Sequence, residues 1–275
     1  MGKSLKMVTE KRQATWYRKH RKSIDDGCYE PFWRAEDVRS SGIKVKVRHF
    51  KDPNRVVHLL SMNEMFMYQL IAWDTSISEV YEQFAIPLEE SIAIADQLGV
   101  KHPVYLDSRT PIVQTVDFIC LQNDQTKKCI AVKQKSWLED QRTQEKLAIQ
   151  EGYCLINDYD FQIVSSDELK TNRCQNLEFL FNHANLDQLL IGVFRVWISN
   201  FFGTMADDRE DRVAHILERS AKLTGIPYRR AAHFFFHAIW VSLLEFNWHR
   251  PLLLEASASD LELKPNDKYC TRLRG

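Results

Sequence analysis

Apolar positions in the first 165 residues switch between the two-residue period of strands and the 3.6-residue period of helices. Residues 39–60 alternate around Asp52-Pro53-Asn54, which predicts a β-hairpin. Ser61 can cap a helix that continues to Trp73 and carries Glu64 in its first turn. Further elements are predicted as strands over 77–88, 111–121, 129–135 and 161–164 and as helices over 89–98 and 138–157. This order predicts an α/β unit built around a small mixed sheet flanked by helices.

Residues 166–275 follow a mostly helical pattern. Apolar residues recur at helical spacing over 176–202, and Asp207-Asp208 open a second predicted helix that ends at Gly225. Pro227 begins a third helix, so the short turn before it joins two helices as in a helix-turn-helix. Residues 248–254 predict a strand or wing. We therefore divide the chain into an α/β domain over 1–165 and a winged-helix-like domain over 166–275.

The composition excludes a membrane-spanning or strongly basic protein. The 275 residues are 44% hydrophobic and carry 37 basic and 37 acidic side chains, so a polyanionic partner must be met by local patches. Six cysteines without a CxxC pair indicate reduced thiols in a cytoplasmic protein. The apolar run over 231–244 is interrupted by His233 and His237 and is too short to span a bilayer. Packed core histidines explain that pair better than a metal site.

Two segments are candidates for contacts to DNA phosphates. The first 25 residues carry eight lysines and arginines, which fits either a solvated mobile arm or a segment that lies on phosphate. Arg229 and Arg230 begin the third helix of 166–275, where amide groups and arginines together attract phosphate. An ordinary helical bundle with exposed arginines explains the second segment equally well.

The strand pair over 111–135 carries the candidate chemistry. With a two-residue period, Asp117 lies on one face of its strand, while Ala131, Lys133 and Lys135 share one face of the next. Glu64 offers a second carboxylate. Carboxylates that hold Mg²⁺ beside a lysine are suited to phosphodiester hydrolysis. A surface ion pair across a hairpin is the alternative interpretation of this pattern.

Several segments, in one order, resemble the TnsA family, the endonuclease subunits of heteromeric cut-and-paste transposons of the Tn-seven class. The matching pieces are VRSSG over 38–42, RVVHLLSMNE over 55–64, EQF over 82–84, GVKHPV over 99–104, DF over 117–118 and AVK with LEDQRTQEKL over 131–147. The resemblance implies a restriction-endonuclease-like core that uses Mg²⁺, with Mn²⁺ as a substitute. It also implies cleavage of the 5′ strands at transposon ends beside a TnsB-like transposase and a TnsC-like ATPase.

The resemblance assigns the site residue by residue. Glu64 falls at the family's helix acid, Asp117 at its strand acid and Lys133 at its lysine. Ala131 stands where the family has Gln or Glu, so the remaining ligands would be Glu64, Asp117 and the main-chain carbonyl of Val132.

A second register would make Lys135 the catalytic lysine and put Lys133 at the ligand position. We favour the first register, in which Lys135 contacts the DNA backbone. Two functions stay open: a Mg²⁺-dependent endonuclease, or a DNA- and partner-binding subunit whose nuclease site is weakened at Ala131.

Overall fold

The computed structural model describes residues 8–38 and 42–266, and these form two compact units, Met1–Leu169 and Lys170–Gly275. This division lies four residues after the boundary that the sequence predicts. Several members of the segments and groups discussed above lie outside the described residues: Lys3 and Lys6 among the eight basic residues of the N-terminal segment, Arg39, Ser40 and Ser41 of the first shared piece, and Cys270 among the six cysteines.

Unit 1 contains four helices and six strands among its described residues. In chain order they are α1 Glu10–Asp25, β1 Val45–Arg48, β2 Val56–Leu59, α2 Met62–Trp73, β3 Ile77–Ala85, α3 Leu88–Leu98, β4 Thr115–Gln122, β5 Lys127–Lys133, α4 Gln141–Ile156 and β6 Asp160–Ser165. A 3₁₀ turn, Lys135–Trp137, follows β5. The predicted hairpin around residues 52–54 is present as antiparallel β1 and β2.

The main sheet has the order β3-β4-β5-β6, with antiparallel β3/β4 and β4/β5 pairs and a parallel β5/β6 pair. The small mixed sheet predicted from the sequence is therefore confirmed. Val116, Ile119 and Cys129 of the sheet pack with Ile149 and Tyr153 of α4 in a buried apolar cluster. This packing fixes the strands whose ends carry the candidate chemistry.

Element ends differ from the predictions where prolines and caps intervene. The strand predicted over 77–88 ends at Ala85, because Pro87 lacks a backbone N–H and instead precedes α3 as its N-cap residue. The strand predicted over 111–121 begins only at Thr115. The helix predicted from residue 138 begins at Gln141, because the Asp140 side chain accepts the Thr143 amide and caps it. β5 ends at Lys133, which leaves Lys135 outside the strand.

Helix α1 settles the structure of residues 10–25, for which a mobile arm was one of two interpretations. The Gln13 side chain donates to the Pro111 carbonyl at 2.7 Å and accepts from the Val113 amide at 3.1 Å. On the same helix, His20 Nε2 accepts from the Ala85 amide at 3.3 Å. Because Gln13 and His20 are buried, the segment is a docked helix rather than a solvated arm.

Unit 2 is helical with one short ribbon. Its elements are α5 Asn172–Phe181, a 3₁₀ turn Gln188–Leu190, α6 Ile191–Asp207, α7 Val213–Thr224, α8 Tyr228–Trp240, β7 Leu244–Glu245 and β8 Lys264–Pro265. α7 and α8 are joined by a turn in which Gly225 adopts φ 71°, the left-handed conformation that ends a helix. The predicted helix–turn–helix pair is thus present.

Three predictions for unit 2 are wrong in detail. The helix predicted over 176–202 is divided into α5 and α6 by the 3₁₀ turn, which Asp187 caps. Asp207 ends α6, and α7 begins only at Val213. Residues 248–254 form turns, so the ribbon is made by β7 and β8 instead.

One helix among the described residues, Gln188–Asp207, is long and apolar enough by length and composition to cross a membrane. Its Phe194, Trp197 and Phe201 side chains are buried in the apolar core of unit 2. A buried core helix has the same composition, so the segment gives only weak evidence for a membrane location.

Candidate active site

The site lies where β4 and β5 separate. The backbone pairing of β4 and β5 ends at Phe118 and Ile130. Beyond this pair, the Asp117 side chain provides the hydrogen bond to β5. Asp117 Oδ2 accepts the Val132 amide at 2.7 Å, in place of a carbonyl from the neighbouring strand. The carboxylate is therefore held in a fixed position at the open end of the strand pair, with its side chain only 12% exposed.

Lys133 lies beside Asp117 at this end of the strand pair, as the strand alternation predicted. Its Nζ lies 2.8 Å from Asp117 Oδ2 and 3.1 Å from the Val132 carbonyl oxygen. The side chain is 20% exposed, so the ammonium group is shielded on most sides but still reaches solvent. A half-buried ammonium beside a carboxylate can interact strongly with an anionic group that enters the site.

Glu64 approaches from the first turn of α2. The Ser61 hydroxyl accepts the Glu64 amide at 3.1 Å and lies 3.1 Å from Glu64 Oε1, while the Leu60 amide donates to Oε2 at 2.8 Å. This arrangement is similar to a capping box, except that Glu64 accepts the Ser61 hydroxyl and the amide of Leu60, which precedes the cap, rather than the Ser61 amide. The contacts that cap the N-terminus of α2 therefore also orient the Glu64 carboxylate.

Burial and, after it, the nearby negative charge of Asp117 together raise the pKa of Glu64 to about 7, against the lowering effect of the Leu60 and Ser61 hydrogen bonds and of Lys133. Two carboxylates thus share a buried space that holds one ammonium group. Like charges at a shared site disfavour ionisation of both carboxylates unless another cation enters. The electrostatics of the site favour binding of a cation.

Gln83 of β3 is a further polar member of the site that sequence reasoning did not single out. Its Nε2 donates to Glu64 Oε2 at 3.3 Å, and its Oε1 accepts the Thr115 hydroxyl at 3.1 Å. Gln83 is 2% exposed and has φ 49°, in the left-handed region where a non-glycine residue is strained by roughly 1–3 kcal/mol. The shared EQF piece contained this residue, but a backbone conformation cannot be deduced from three letters.

Ala131 and Lys135 contribute no polar atom to the cluster. Ala131 is fully buried, and its methyl group cannot bind a metal ion. Lys135 lies beyond the end of β5, where its Nζ pairs with Asp167 Oδ2 at 3.1 Å and the side chain is 69% exposed. The structure therefore brings Glu64, Asp117, Lys133 and Val132 together and places Lys135 outside.

The donor atoms of the site are all oxygens. The carboxylates of Glu64 and Asp117 and the carbonyl of Val132 are hard ligands of the kind that Mg²⁺ uses together with water. Across residues 8–38 and 42–266, no group of three or more His, Cys, Asp or Glu side chains is placed to hold a metal ion. Two carboxylates with neutral oxygens fit a magnesium ion that keeps several waters, and they do not fit zinc.

The other candidate residues belong to other parts of the chain. Arg229 and Arg230 are exposed at the start of α8 in unit 2. His233 Nδ1 lies 2.7 Å from His183 Nδ1, and His237 Nδ1 lies 2.9 Å from the His183 carbonyl oxygen, so the two predicted core histidines bond to His183 rather than to each other. His102 Nε2 lies 3.0 Å from the Ser91 hydroxyl.

Comparison with known proteins finds a family match within unit 1. Residues 74–166 match the family described as TnsA-like endonuclease N terminal, a range that includes Asp117 and Lys133 and begins after Glu64. The chain is 30% identical over 156 residues to the transposition protein TnsA of transposon Tn7 from Escherichia coli. That match covers 56% of this chain and 56% of the Escherichia coli protein, so the chain spans about half the length of the curated relative it matches. The resemblance drawn from the sequence is confirmed.

Proposed function

We propose that this chain, whose residues 74–166 form a TnsA-like endonuclease domain, is a Mg²⁺-dependent DNA endonuclease that cuts the 5′ strands at transposon ends during cut-and-paste transposition. The observation that carries the proposal is the meeting of Glu64, Asp117 and Lys133 at the open end of β4 and β5. A TnsB-like transposase and a TnsC-like ATPase are the proposed partners, since the relative is a transposition protein of transposon Tn7.

Each residue has a role that its contacts support. Glu64, Asp117 and the Val132 carbonyl would hold the metal, which when bound polarises the phosphate and activates the attacking water. Lys133, 2.8 Å from Asp117, is placed to offset the negative charge that develops on the phosphate. The Ser61 and Leu60 contacts keep Glu64 aimed at the cluster, so little reorganisation is needed when a substrate binds.

Contacts to the DNA backbone are proposed for three places. Lys135 is exposed beside the cluster, and its single ion pair with Asp167 is half exposed and therefore weak. The solvent side of α1 carries Lys11, Arg18 and Lys22, which recur at helical spacing. In unit 2 the corresponding candidates are Arg229 and Arg230. Such cations would add affinity by releasing counterions from phosphate.

The second candidate function is a DNA- and partner-binding subunit with a weakened nuclease site. Ala131 favours it, because a buried methyl group replaces the oxygen ligand that the resemblance leads us to expect. The retention of Glu64, Asp117 and Lys133 in one hydrogen-bonded arrangement favours the active enzyme, since a site without function has no need for two facing carboxylates.

The test is cleavage of transposon-end DNA by the full chain with its cognate TnsB-like transposase in Mg²⁺ buffer. We expect nicks at the 5′ strands of the ends that disappear when EDTA replaces Mg²⁺ and when Asp117→Ala replaces the wild type. DNA binding without any Asp117-dependent cleavage would favour the inactive subunit instead.

A further inference from the structure

We infer that Gln83, on strand β3, is a positioning residue of the candidate site formed by Glu64, Asp117 and Lys133. Its side chain holds the Glu64 carboxylate in the orientation that binds a cation. This inference rests on the proposed function. It assigns the neutral polar group of the site to β3, whereas the resemblance leads us to expect such a group at residue 131 of β5.

The position of Gln83 in the sheet supports this assignment. β3 and β4 pair through Glu82 with Phe118 and through Phe84 with Val116, so Gln83 lies level with Asp117 on the adjacent strand. At this one residue the backbone turns into the left-handed region with φ 49°. Strained backbone of this kind persists where surrounding contacts determine it, and it occurs often at functional sites.

The hydrogen bonds of Gln83 show what the conformation achieves. The amide is buried and bridges two site residues, with Nε2 on Glu64 Oε2 at 3.3 Å and Oε1 on the Thr115 hydroxyl at 3.1 Å. Thr115 fixes the far end of the amide, so the near end meets Glu64 in one orientation. Groups that orient metal ligands from behind control metal affinity even though they do not touch the ion.

Gln150 offers a matched control in the same part of unit 1. It is also a buried glutamine, 6% exposed, and its Nε2 donates to the Thr115 carbonyl at 2.9 Å. It makes no hydrogen bond to Glu64 or Asp117 among the contacts of the described residues. Gln83 and Gln150 therefore share side-chain type, burial and a bond to Thr115 but differ in contact with the carboxylates.

The experiment measures Mn²⁺ binding to the full chain by calorimetry, together with cleavage kinetics. Gln83→Met keeps the side-chain length and the backbone preference but removes both hydrogen bonds. We expect it to weaken Mn²⁺ binding by about 10–100-fold, the range found for groups that orient metal ligands. The kcat of cleavage should fall while the KM for DNA stays near the wild-type value, and Gln150→Met should bind Mn²⁺ like the wild type.

A second variant separates positioning from stability. Gln83→Gly accommodates the left-handed backbone and also removes both hydrogen bonds, so its Mn²⁺ affinity should be as low as that of Gln83→Met whatever the difference in melting temperature between the two variants. Wild-type Mn²⁺ affinity in either Gln83 variant, or an equal loss in Gln150→Met, would overturn the assignment while leaving the nuclease proposal intact. Absence of Mn²⁺ binding by the wild type would instead overturn both.

Discussion

Two clusters of acids and cations involve or adjoin strand β3, and they differ in how the cation contacts the acids. The first, which we call the Arg55 cluster, consists of Arg55, Glu79 and Glu82. Arg55 Nη1 donates to Glu79 Oε1 at 3.0 Å and to the Val80 carbonyl at 2.8 Å, and Nη2 pairs with Glu82. The guanidinium lies 4.7 Å from the ring centre of Tyr29. Arginine here satisfies both carboxylates at once.

The second, which we call the Asp117 site, consists of Glu64, Gln83, Asp117 and Lys133. Its ammonium bonds to Asp117, and Glu64 receives only hydrogen bonds from neutral donors. Burial and Asp117 raise the pKa of Glu64 to about 7. Burial raises the pKa of Glu82 as well, but the Arg55 charge opposes that rise at direct contact.

The difference between the clusters is informative about function. A cluster in which the cation contacts every carboxylate has its ion pairs within the protein, and its value is structural. A cluster in which one carboxylate lacks a cation partner is costly to keep and becomes favourable when a cation binds. Direct pairing of each carboxylate with the cation, rather than the number of acids, therefore separates the two, and the predictions below test this distinction from the largest expected effect to the smallest.

Asp117→Ala should lower the cleavage rate by on the order of 10⁴-fold, about 5 kcal/mol in barrier height, because it removes a metal ligand and the partner of Lys133. Folding and binding of the transposase should stay intact. Single-turnover cleavage and circular dichroism are the measurements. Wild-type cleavage by this variant would mean that Asp117 has no catalytic role.

Arg55→Met should lower the free energy of unfolding by about 3–5 kcal/mol, because it leaves the buried Glu82 without its cation. Asp117→Asn, which keeps an acceptor for the Val132 amide, should cost less than half of that. Urea denaturation of both variants tests the contrast. Equal destabilisation would show that the two clusters do not differ in the way their ion pairing indicates.

Lys133→Ala should lower the cleavage rate at saturating DNA by about 10²-fold, about 3 kcal/mol, because the ammonium beside Asp117 is lost from the reacting centre. Lys135→Ala should mainly weaken DNA binding and reduce its salt dependence by about one unit of slope. Rates and affinities at several salt concentrations distinguish the two lysines. Control of the rate by Lys135 would establish the other register.

The stability of the metal-free protein should fall as pH rises from about 4.5 to about 7 through the contribution of Glu64. Its folded pKa exceeds its unfolded value, so the native state binds more protons in this window, and ionisation above it costs up to about 3 kcal/mol. Glu64→Gln should remove this slope. Urea denaturation in EDTA at pH 5 and pH 8 compares the variants, and identical slopes would contradict the raised pKa.

Ala131→Glu should lower the Mg²⁺ concentration for half-maximal cleavage by several-fold, since it adds a hard oxygen ligand. Ala131 is fully buried, so part of the gain is offset by the cost of fitting a larger side chain. Mg²⁺ titrations of cleavage measure the shift. An unchanged midpoint would indicate that the register is wrong or that another residue already supplies this ligand.

Much of unit 1 follows from local sequence signals. The Ser61 cap and the alternation of the 111–135 segment predict α2 and the β4/β5 hairpin, because caps and strand faces are set by residues close in sequence. Because β4 and β5 are joined by one short turn, the hairpin brings Lys133 next to Asp117. In unit 2, by contrast, α5 and α6 read as one helix, because both carry an apolar stripe and only the Asp187 turn between them breaks the backbone.

The sequence by itself determined the hairpin, the helix start at Ser61 and the helix end at Gly225, since each depends on contacts within a few residues or across one turn. Only the tertiary structure decided that Glu64 meets Asp117, that β5 ends before Lys135, and that Gln83 turns its amide onto Glu64. Those outcomes depend on how α2, β3 and β5 pack together. Packing between elements that are distant in the chain determines the burial and the ion pairing of these side chains. Burial and ion pairing together make two acids and a lysine a candidate metal site.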